Sequence, residues 1–142
     1  MTSLFRELRL ETDAAHAWRA LRNPGDAAHA FAGVLVSCTF DGDTRTVTFA
    51  NGAVVQERIV TIDETRMRIA YTVLSDPFEH HHASMQIVPD GPGHCRFLWQ
   101  SDFLPEARRE MVEPLVDAGC AAFARNVAFP AQERYRRTQL KL

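Results

Sequence analysis

The sequence predicts an α+β fold in which a curved antiparallel sheet of about seven strands wraps around a long C-terminal helix. Two observations carry this prediction. Up to residue 104 the chain consists of short runs of alternating apolar and polar residues, separated by turn-forming residues. After residue 105 the apolar residues recur instead with helical spacing. A chain of 142 residues suits one domain, which we expect to span 1–142.

The strands are expected as one early run and six consecutive later ones. They cover 3–11, 33–40, 45–50, 54–62, 66–74, 78–88 and 94–103. Asn51-Gly52 is a strong signal for a two-residue hairpin, and other turn-forming clusters separate the remaining runs. Strands that follow one another through short turns pair as an antiparallel meander, so the last six runs should form one sheet.

Two short helices are expected between the first and second strands. Thr12 and Asp13 offer an N-cap for an alanine-rich helix at 14–22. Asp26 then caps a second helix at about 27–32.

The long helix is expected in two parts, a lead-in at 106–111 and a main helix at about 114–138. Pro114 suits the first turn of the main helix, where a missing N–H costs no hydrogen bond. Pro130 should kink this helix near Asn126. The stripe that faces the sheet is predicted at a spacing of four residues, at Met111, Leu115, Gly119, Phe123 and Val127.

The composition excludes several classes of function. Apolar residues make up 46% of the chain and charged residues 24%, with a net charge of −2 and no basic stripe for nucleic acid. No apolar run approaches the roughly 18 residues of a membrane span, and the alternating, charged N-terminus does not read as a signal peptide. The three cysteines lack paired spacing, which favours reduced thiols and a cytoplasmic protein.

Several local motifs connect the chain to a known family. They are the stretch 55–59 (Val-Gln-Glu-Arg-Ile), Asp63, Tyr71, Trp99 and the segment 103–105 (Phe-Leu-Pro) that leads into the long helix. In these motifs and in its order of elements, the chain resembles the START-like superfamily, also called the Bet v 1-like or SRPBCC superfamily. Within it, the chain looks like the bacterial polyketide cyclase/dehydrase and lipid transport family.

The resemblance implies a helix-grip fold with a cavity between sheet and helix, and binding or processing of hydrophobic small molecules. Plant hormone receptors of the superfamily have a similar Glu-Arg-hydrophobic strand, and by that similarity Glu57 points into the cavity. Their gate-like loop is absent here, because Asn51-Gly52 forms a bare hairpin.

Strand alternation extends this anchor to neighbouring positions, because every second side chain shares a face. Thr61 on the strand of Glu57, and Val34 and Cys38 on the second strand, are expected to face inward. The expected ligand-binding residues on strands and helix are Val36, Val47, Phe49, Glu57, Ile59, Tyr71, Val73, Trp99, Ser101, Leu115, Gly119, Phe123 and Val127. The opposite face, with residues such as Gln56 and Arg58, should be polar and solvated.

A buried Glu57 carboxylate needs a partner, since an unpaired buried charge is costly. A ligand hydroxyl or a water molecule could donate a hydrogen bond to this carboxylate. Alternatively, Glu57 lies at a wet strand end or pairs with an arginine across the sheet.

The run of His80, His81 and His82 raises the question of a metal site. His80 and His82 share a face of their strand, but a zinc site needs further ligands, for which Asp76, Glu79 and Cys95 are the available residues. A polar strand start near the cavity mouth explains the run more simply, and we expect no metal and no cofactor. His81 takes the other face and is the histidine suited to acid–base chemistry.

Three functions remain open. The first is binding, transport or sensing of a hydrophobic or aromatic small molecule by a monomer or homodimer, with Glu57 and Tyr71 orienting a polar group. The second is a cyclase or aromatase in which Tyr71 or His81 donates a proton and Glu57 is the base. The third is a protein-interaction module, which an apolar outer face of the sheet would support.

Overall fold

The computed structural model describes residues 2–74 and 78–128, and it confirms the predicted α+β architecture. The strands are β1 (Thr2–Leu10), β2 (Leu35–Asp41), β3 (Thr44–Phe49), β4 (Val54–Asp63), β5 (Arg68–Val73), β6 (His80–Pro89) and β7 (Cys95–Leu104). The helices are α1 (Ala14–Leu21), α2 (Ala27–Ala30) and α3 (Arg109–Val127). Single 3-10 turns at Pro24–Asp26 and Glu106–Arg108 lead into α2 and α3.

All seven strands form one antiparallel sheet in the order β1-β7-β6-β5-β4-β3-β2. The strands β2 to β7 are therefore the predicted meander. Strand β1 joins it at β7, with Leu4 opposite Ser101. This register places the start of the chain against β7, the strand that leads into α3.

The core lies between the inner face of the sheet and the helices. Along β6 the side chains of Ala83, Met85 and Ile87 are buried in alternation, as the sequence pattern requires. Gln56, Arg58 and Gln100 are exposed on the outer face, and β4 also exposes the apolar side chains of Val60 and Ile62. No helix in the described ranges is long and apolar enough to cross a membrane.

Helix α3 differs from the prediction at its start. It begins at Arg109 and contains Pro114, so the separate lead-in and main helices are wrong. Pro114 lies close to the N-terminus on the exposed side, where the loss of one hydrogen bond to a solvated carbonyl is tolerated. The described helix ends at Val127, and the predicted continuation to 138 and the kink caused by Pro130 lie outside the described residues.

The stripe of α3 that faces the sheet also differs from the prediction. Its first half is formed by Val112 and Val116, whereas Met111 is 43% exposed and Leu115 is half-buried. A strict spacing of four residues drifts around a helix with 3.6 residues per turn. Phe123 and Val127 therefore face the sheet and are buried. Met111, at the other end of the same stripe, lies at the exposed edge of the helix.

Two strand bulges reverse predicted orientations. The register of β2 against β3 shifts between Leu35 and Ser37, and Val36 is 62% exposed, so the prediction that Val36 faces inward is wrong. A second shift, between Ile59 and Thr61 on β4, leaves Thr61 exposed instead of inward. Each bulge inserts one extra residue, Val36 on β2 and Val60 on β4, and interrupts the alternation of side chains at that point.

The hairpin at Asn51-Gly52 is present but wider than predicted. The N–H of Phe49 donates to the carbonyl of Ala53 at 2.8 Å, so the turn consists of residues 50–52. Gly52 adopts a φ of +93°, a conformation that disfavours side chains with a Cβ.

Candidate functional site

A cavity of about 210 Å³ lies between the inner face of the sheet, the end of α2 and the first half of α3. Val54 and Met111 border it and are also 57% and 43% exposed, which places its opening between the β3–β4 hairpin and the start of α3. Ligand sites for drug-sized molecules begin at roughly 300 Å³, whereas an engineered cavity of about 150 Å³ holds benzene. The space therefore suits a small molecule.

Most of the predicted site residues border this cavity. The apolar ones on the sheet are Val47, Phe49 and Val73, and those on α3 are Leu115 and Gly119. The predicted polar or aromatic ones are Glu57, Tyr71, His81, Trp99 and Ser101.

Four predicted residues do not border the cavity. Val36 is turned outward by the bulge in β2. Ile59 is half-buried and lies directly opposite Tyr71, two residues beyond Glu57 on β4. Phe123 and Val127 are fully packed against the core below it, at 0% and 2% exposure. For these two, the helical stripe correctly indicates burial but not contact with open space.

A buried ion pair lies on the cavity wall, and sequence reasoning missed one of its members. Arg45 on β3 is directly opposite Glu57 on β4, and its Nε donates to Glu57 Oε1 at 2.8 Å. The two side chains are 7% and 11% exposed. Arg45 shares its strand face with Val47 and Phe49, so strand alternation would have placed it inside. Arg45 is therefore the arginine across the sheet that was one of the alternative partners expected for Glu57.

The ion pair and its burial shift the pKa values of Glu57 and Tyr71. Burial raises the pKa of the Glu57 carboxyl, and the Arg45 guanidinium opposes the rise. Burial, reinforced by the Glu57 charge, raises the pKa of the Tyr71 hydroxyl well above its usual value, so Tyr71 is neutral. The Arg45 guanidinium carbon also lies 5.1 Å from the centre of the Tyr71 ring, a cation–π contact.

A second polar pair faces the cavity from the other side of Tyr71. His81 Nε2 and Ser101 Oγ are 2.7 Å apart, and the imidazole packs against Phe78 at 4.5 Å and Phe103 at 5.6 Å between ring centres. Burial, with smaller effects from the adjacent histidines, lowers the pKa of His81 to about 4. His81 is therefore neutral at pH 7, and its Nδ1 has no hydrogen-bond partner among the described residues.

The neutral state of His81 predicts a pH dependence of stability. A histidine in the unfolded chain titrates near 6.5, so the unfolded state takes up this proton before the folded state with its pKa of about 4. The stabilising contribution is complete above pH about 6.5 and is lost as the pH falls through about 4. Urea unfolding between pH about 7 and about 4 should show the stability advantage of the wild type over His81→Gln shrinking toward low pH. An advantage that does not change with pH would contradict this assignment.

Gly119 leaves room for the ring of Trp99. A Cβ at position 119 would lie 2.7 Å from Trp99 Cζ3, so only glycine allows α3 to approach β7 this closely. The Trp99 ring also contacts Phe31 and Phe97 edge-on, at 5.9 and 6.2 Å between centres. Trp99 Nε1 is buried near the Tyr71 hydroxyl but makes no well-formed hydrogen bond within the described part of the chain.

The remaining histidines and the cysteines are separate from this site. His80 and His82 lie on the outer face of β6, opposite to His81. Within 2–74 and 78–128, no three His, Cys, Asp or Glu side chains are grouped to hold a metal, and Asp76 lies outside the described residues. Burial raises the pKa of the Cys95 and Cys120 thiols to about 11, so both are protonated.

The sequence matches one protein family but no curated protein. The family described as "Polyketide cyclase / dehydrase and lipid transport" matches residues 1–128.

Three solved structures illustrate the similarity in fold. An uncharacterized protein from Bacillus thuringiensis superposes with a TM-score of 0.80 at 12% identity, covering 89% of this chain and 98% of that one. A solution NMR structure from Thermobifida fusca has a TM-score of 0.73 at 26% identity, covering 89% and 93%. Norcoclaurine synthase from Thalictrum flavum, in complex with dopamine and hydroxybenzaldehyde, has a TM-score of 0.68 at 18% identity, covering 89% and 86%.

Proposed function

Because the chain belongs to the polyketide cyclase/dehydrase and lipid transport family, we propose that it binds a hydrophobic small molecule in the cavity between the sheet and α3. The observation that carries this proposal is the cavity itself, which is open at one end and bordered mainly by apolar side chains. Burial of apolar ligand surface would supply the affinity, and the few polar groups on the wall would fix the orientation.

The arrangement of the polar groups favours binding over acid–base catalysis. The Glu57 carboxylate already accepts a hydrogen bond from Arg45 at 2.8 Å, and His81 Nε2 is engaged with Ser101 at 2.7 Å. A general base needs a free acceptor directed at the substrate and a pKa near the working pH. The pKa of His81, about 4, makes it a weak base at neutral pH. For these reasons we rank a cyclase or aromatase activity of Glu57, Tyr71 and His81 second.

The relative with a bound ligand supports the size of the proposed ligand. Norcoclaurine synthase shares the fold and was solved with dopamine and hydroxybenzaldehyde, both single-ring aromatic molecules. A cavity of about 210 Å³ suits molecules of that size.

Filling the cavity from α3 tests the proposal. Leu115 borders the cavity and is only half-buried, so Leu115→Trp can place a larger ring in the open space without disturbing the fully buried core. We expect calorimetric titration with toluene, indole and naphthalene to show binding to the wild type. In Leu115→Trp the affinity should fall by about tenfold or more.

The matched control is Ala121→Trp, since Ala121 is exposed on the same helix. It should bind the three probes as the wild type does. Absence of binding to the wild type, or equal binding to Leu115→Trp, would contradict a ligand site at this place.

A further inference from the structure

Arg45 carries hydrogen-bond donors that the protein does not use. Its Nε donates to Glu57, but its two Nη groups make no hydrogen bond with any described residue. The side chain as a whole is 7% exposed, yet neither Nη is sealed from open space. Arg45 is one of the residues that border the cavity. Donors of a buried cation without acceptors are costly, so an acceptor on a ligand would bind there favourably.

The cavity volume limits what can bring that acceptor. About 210 Å³ lies between the roughly 150 Å³ that hold benzene and the roughly 300 Å³ at which sites for drug-sized ligands begin. A single ring with one or two small substituents fits this volume. A sterol or a lipid with long acyl chains does not.

The walls around the open space indicate a flat ligand. Phe31 and Trp99 border it from the side of the helices and β7, while Phe49, Tyr71 and Phe78 border it from the other strands and the loop before β6. Aromatic side chains pack well against another ring through stacked and edge-on contacts. Arg45 borders the same cavity, and its guanidinium carbon lies 5.1 Å from the centre of the Tyr71 ring.

We propose that the cavity selects a neutral single-ring aromatic carbonyl compound, whose oxygen accepts hydrogen bonds from the Nη groups of Arg45. This inference rests on the proposed function and specifies the ligand of the same site. A carbonyl oxygen only accepts hydrogen bonds and the Nη groups only donate them, so the two are complementary.

The ligand is expected to be neutral because the positive charge of Arg45 already has a partner. The Glu57 carboxylate lies 2.8 Å from Arg45 Nε, so a ligand carboxylate on the same guanidinium would approach a second buried negative charge. Two like charges in a site of low dielectric repel strongly. A neutral carbonyl gains the hydrogen bonds without that repulsion.

Three probes of nearly equal size separate the contributions of the ring, the carbonyl oxygen and a negative charge to the binding affinity. Acetophenone has the ring and the carbonyl, ethylbenzene has the ring alone, and benzoate has the ring and a negative charge. In calorimetric titrations at about pH 7.5, we expect the wild type to bind acetophenone about tenfold more tightly than ethylbenzene, which corresponds to about 1.4 kcal/mol. Benzoate should bind more weakly than acetophenone.

The variant that removes the donors is Arg45→Met/Glu57→Leu, which replaces the ion pair by apolar side chains and leaves no buried charge unpaired. In this variant the preference for acetophenone over ethylbenzene should disappear, while ethylbenzene still binds. The variant Glu57→Gln, which keeps the donors of Arg45, should retain the preference.

The outcomes distinguish this inference from the proposed function. If the wild type binds acetophenone and ethylbenzene equally, or benzoate most tightly, the inference is wrong although the ligand site stands. If the double variant keeps the preference for acetophenone, the oxygen is recognised elsewhere and the inference is also wrong. If none of the probes binds to the wild type, the proposed function fails, and the inference fails with it.

Discussion

Glu57→Ala should lower the free energy of unfolding by about 3–5 kcal/mol, as expected when one partner of a buried ion pair is removed. The substitution leaves the Arg45 guanidinium without its carboxylate, in a side chain that is 7% exposed. Arginine cannot lose its proton at any pH that the protein tolerates. The charge therefore stays largely buried without its carboxylate, and the fold bears the cost of that unpaired charge. Urea unfolding at neutral pH measures the loss.

Two control variants separate this charge effect from the loss of packing. Arg45→Met/Glu57→Leu removes both charges and keeps the volume, so its free energy of unfolding should be close to that of the wild type or higher. Asp43→Ala breaks the exposed pair of Asp43 with Arg58, whose closest atoms are 3.7 Å apart, and should cost less than about 1 kcal/mol. A double variant as unstable as Glu57→Ala would show that packing, not charge, dominates here.

Phe123→Ala should be about equally destabilising, at about 3–5 kcal/mol, for a different reason. Phe123 is 0% exposed and stacks on Phe97 and Phe31, with ring centres 4.5 and 5.3 Å apart. Removal of the ring leaves a void between α3, β7 and the end of α2 that the surrounding backbone cannot close. The loss therefore includes both the transfer of the ring and the cavity that remains.

The matched control lies on the same helix. Met111→Ala removes a large apolar side chain that is 43% exposed, and it should cost less than about 1 kcal/mol. Urea unfolding of both variants at the same pH gives the comparison. A cost for Phe123→Ala no larger than that for Met111→Ala would contradict the assignment of Phe123 to the centre of the core.

The sequence was sufficient for the architecture because each element carries its own periodic signal. Alternation gives the strands, turn residues separate them, and the apolar spacing after residue 105 gives α3. The resemblance to the START-like, Bet v 1-like superfamily is confirmed by the match over residues 1–128 and by the solved structures. Alternation also brought most of the predicted residues to one cavity, because the strands are nearly regular where they border it.

The predictions were wrong or incomplete where a residue's position depends on parts of the chain that are distant in sequence. The bulges at Val36 and Val60 depend on how β2 and β4 pair with their neighbours, and nothing in the alternating pattern marks one extra residue. Arg45 was overlooked because a charged residue is normally at the surface. Its burial becomes understandable only in the register that sets it opposite Glu57. The size of the cavity depends on side-chain packing between distant elements, as at Gly119 and Trp99, and no sequence pattern encodes it.

The central claim, that a ligand binds between the sheet and α3, is tested most directly by fluorine NMR of protein labelled with 5-fluorotryptophan. The chain has two tryptophans. Trp99 borders the cavity, whereas Trp18 is buried away from it with its Nε1 donating to Glu64 at 2.9 Å, and Trp18→Phe assigns the two signals. Saturating acetophenone should shift the Trp99 resonance and leave the Trp18 resonance in place. A Trp99 resonance that does not move, or equal shifts of both resonances, would contradict a ligand site in this cavity.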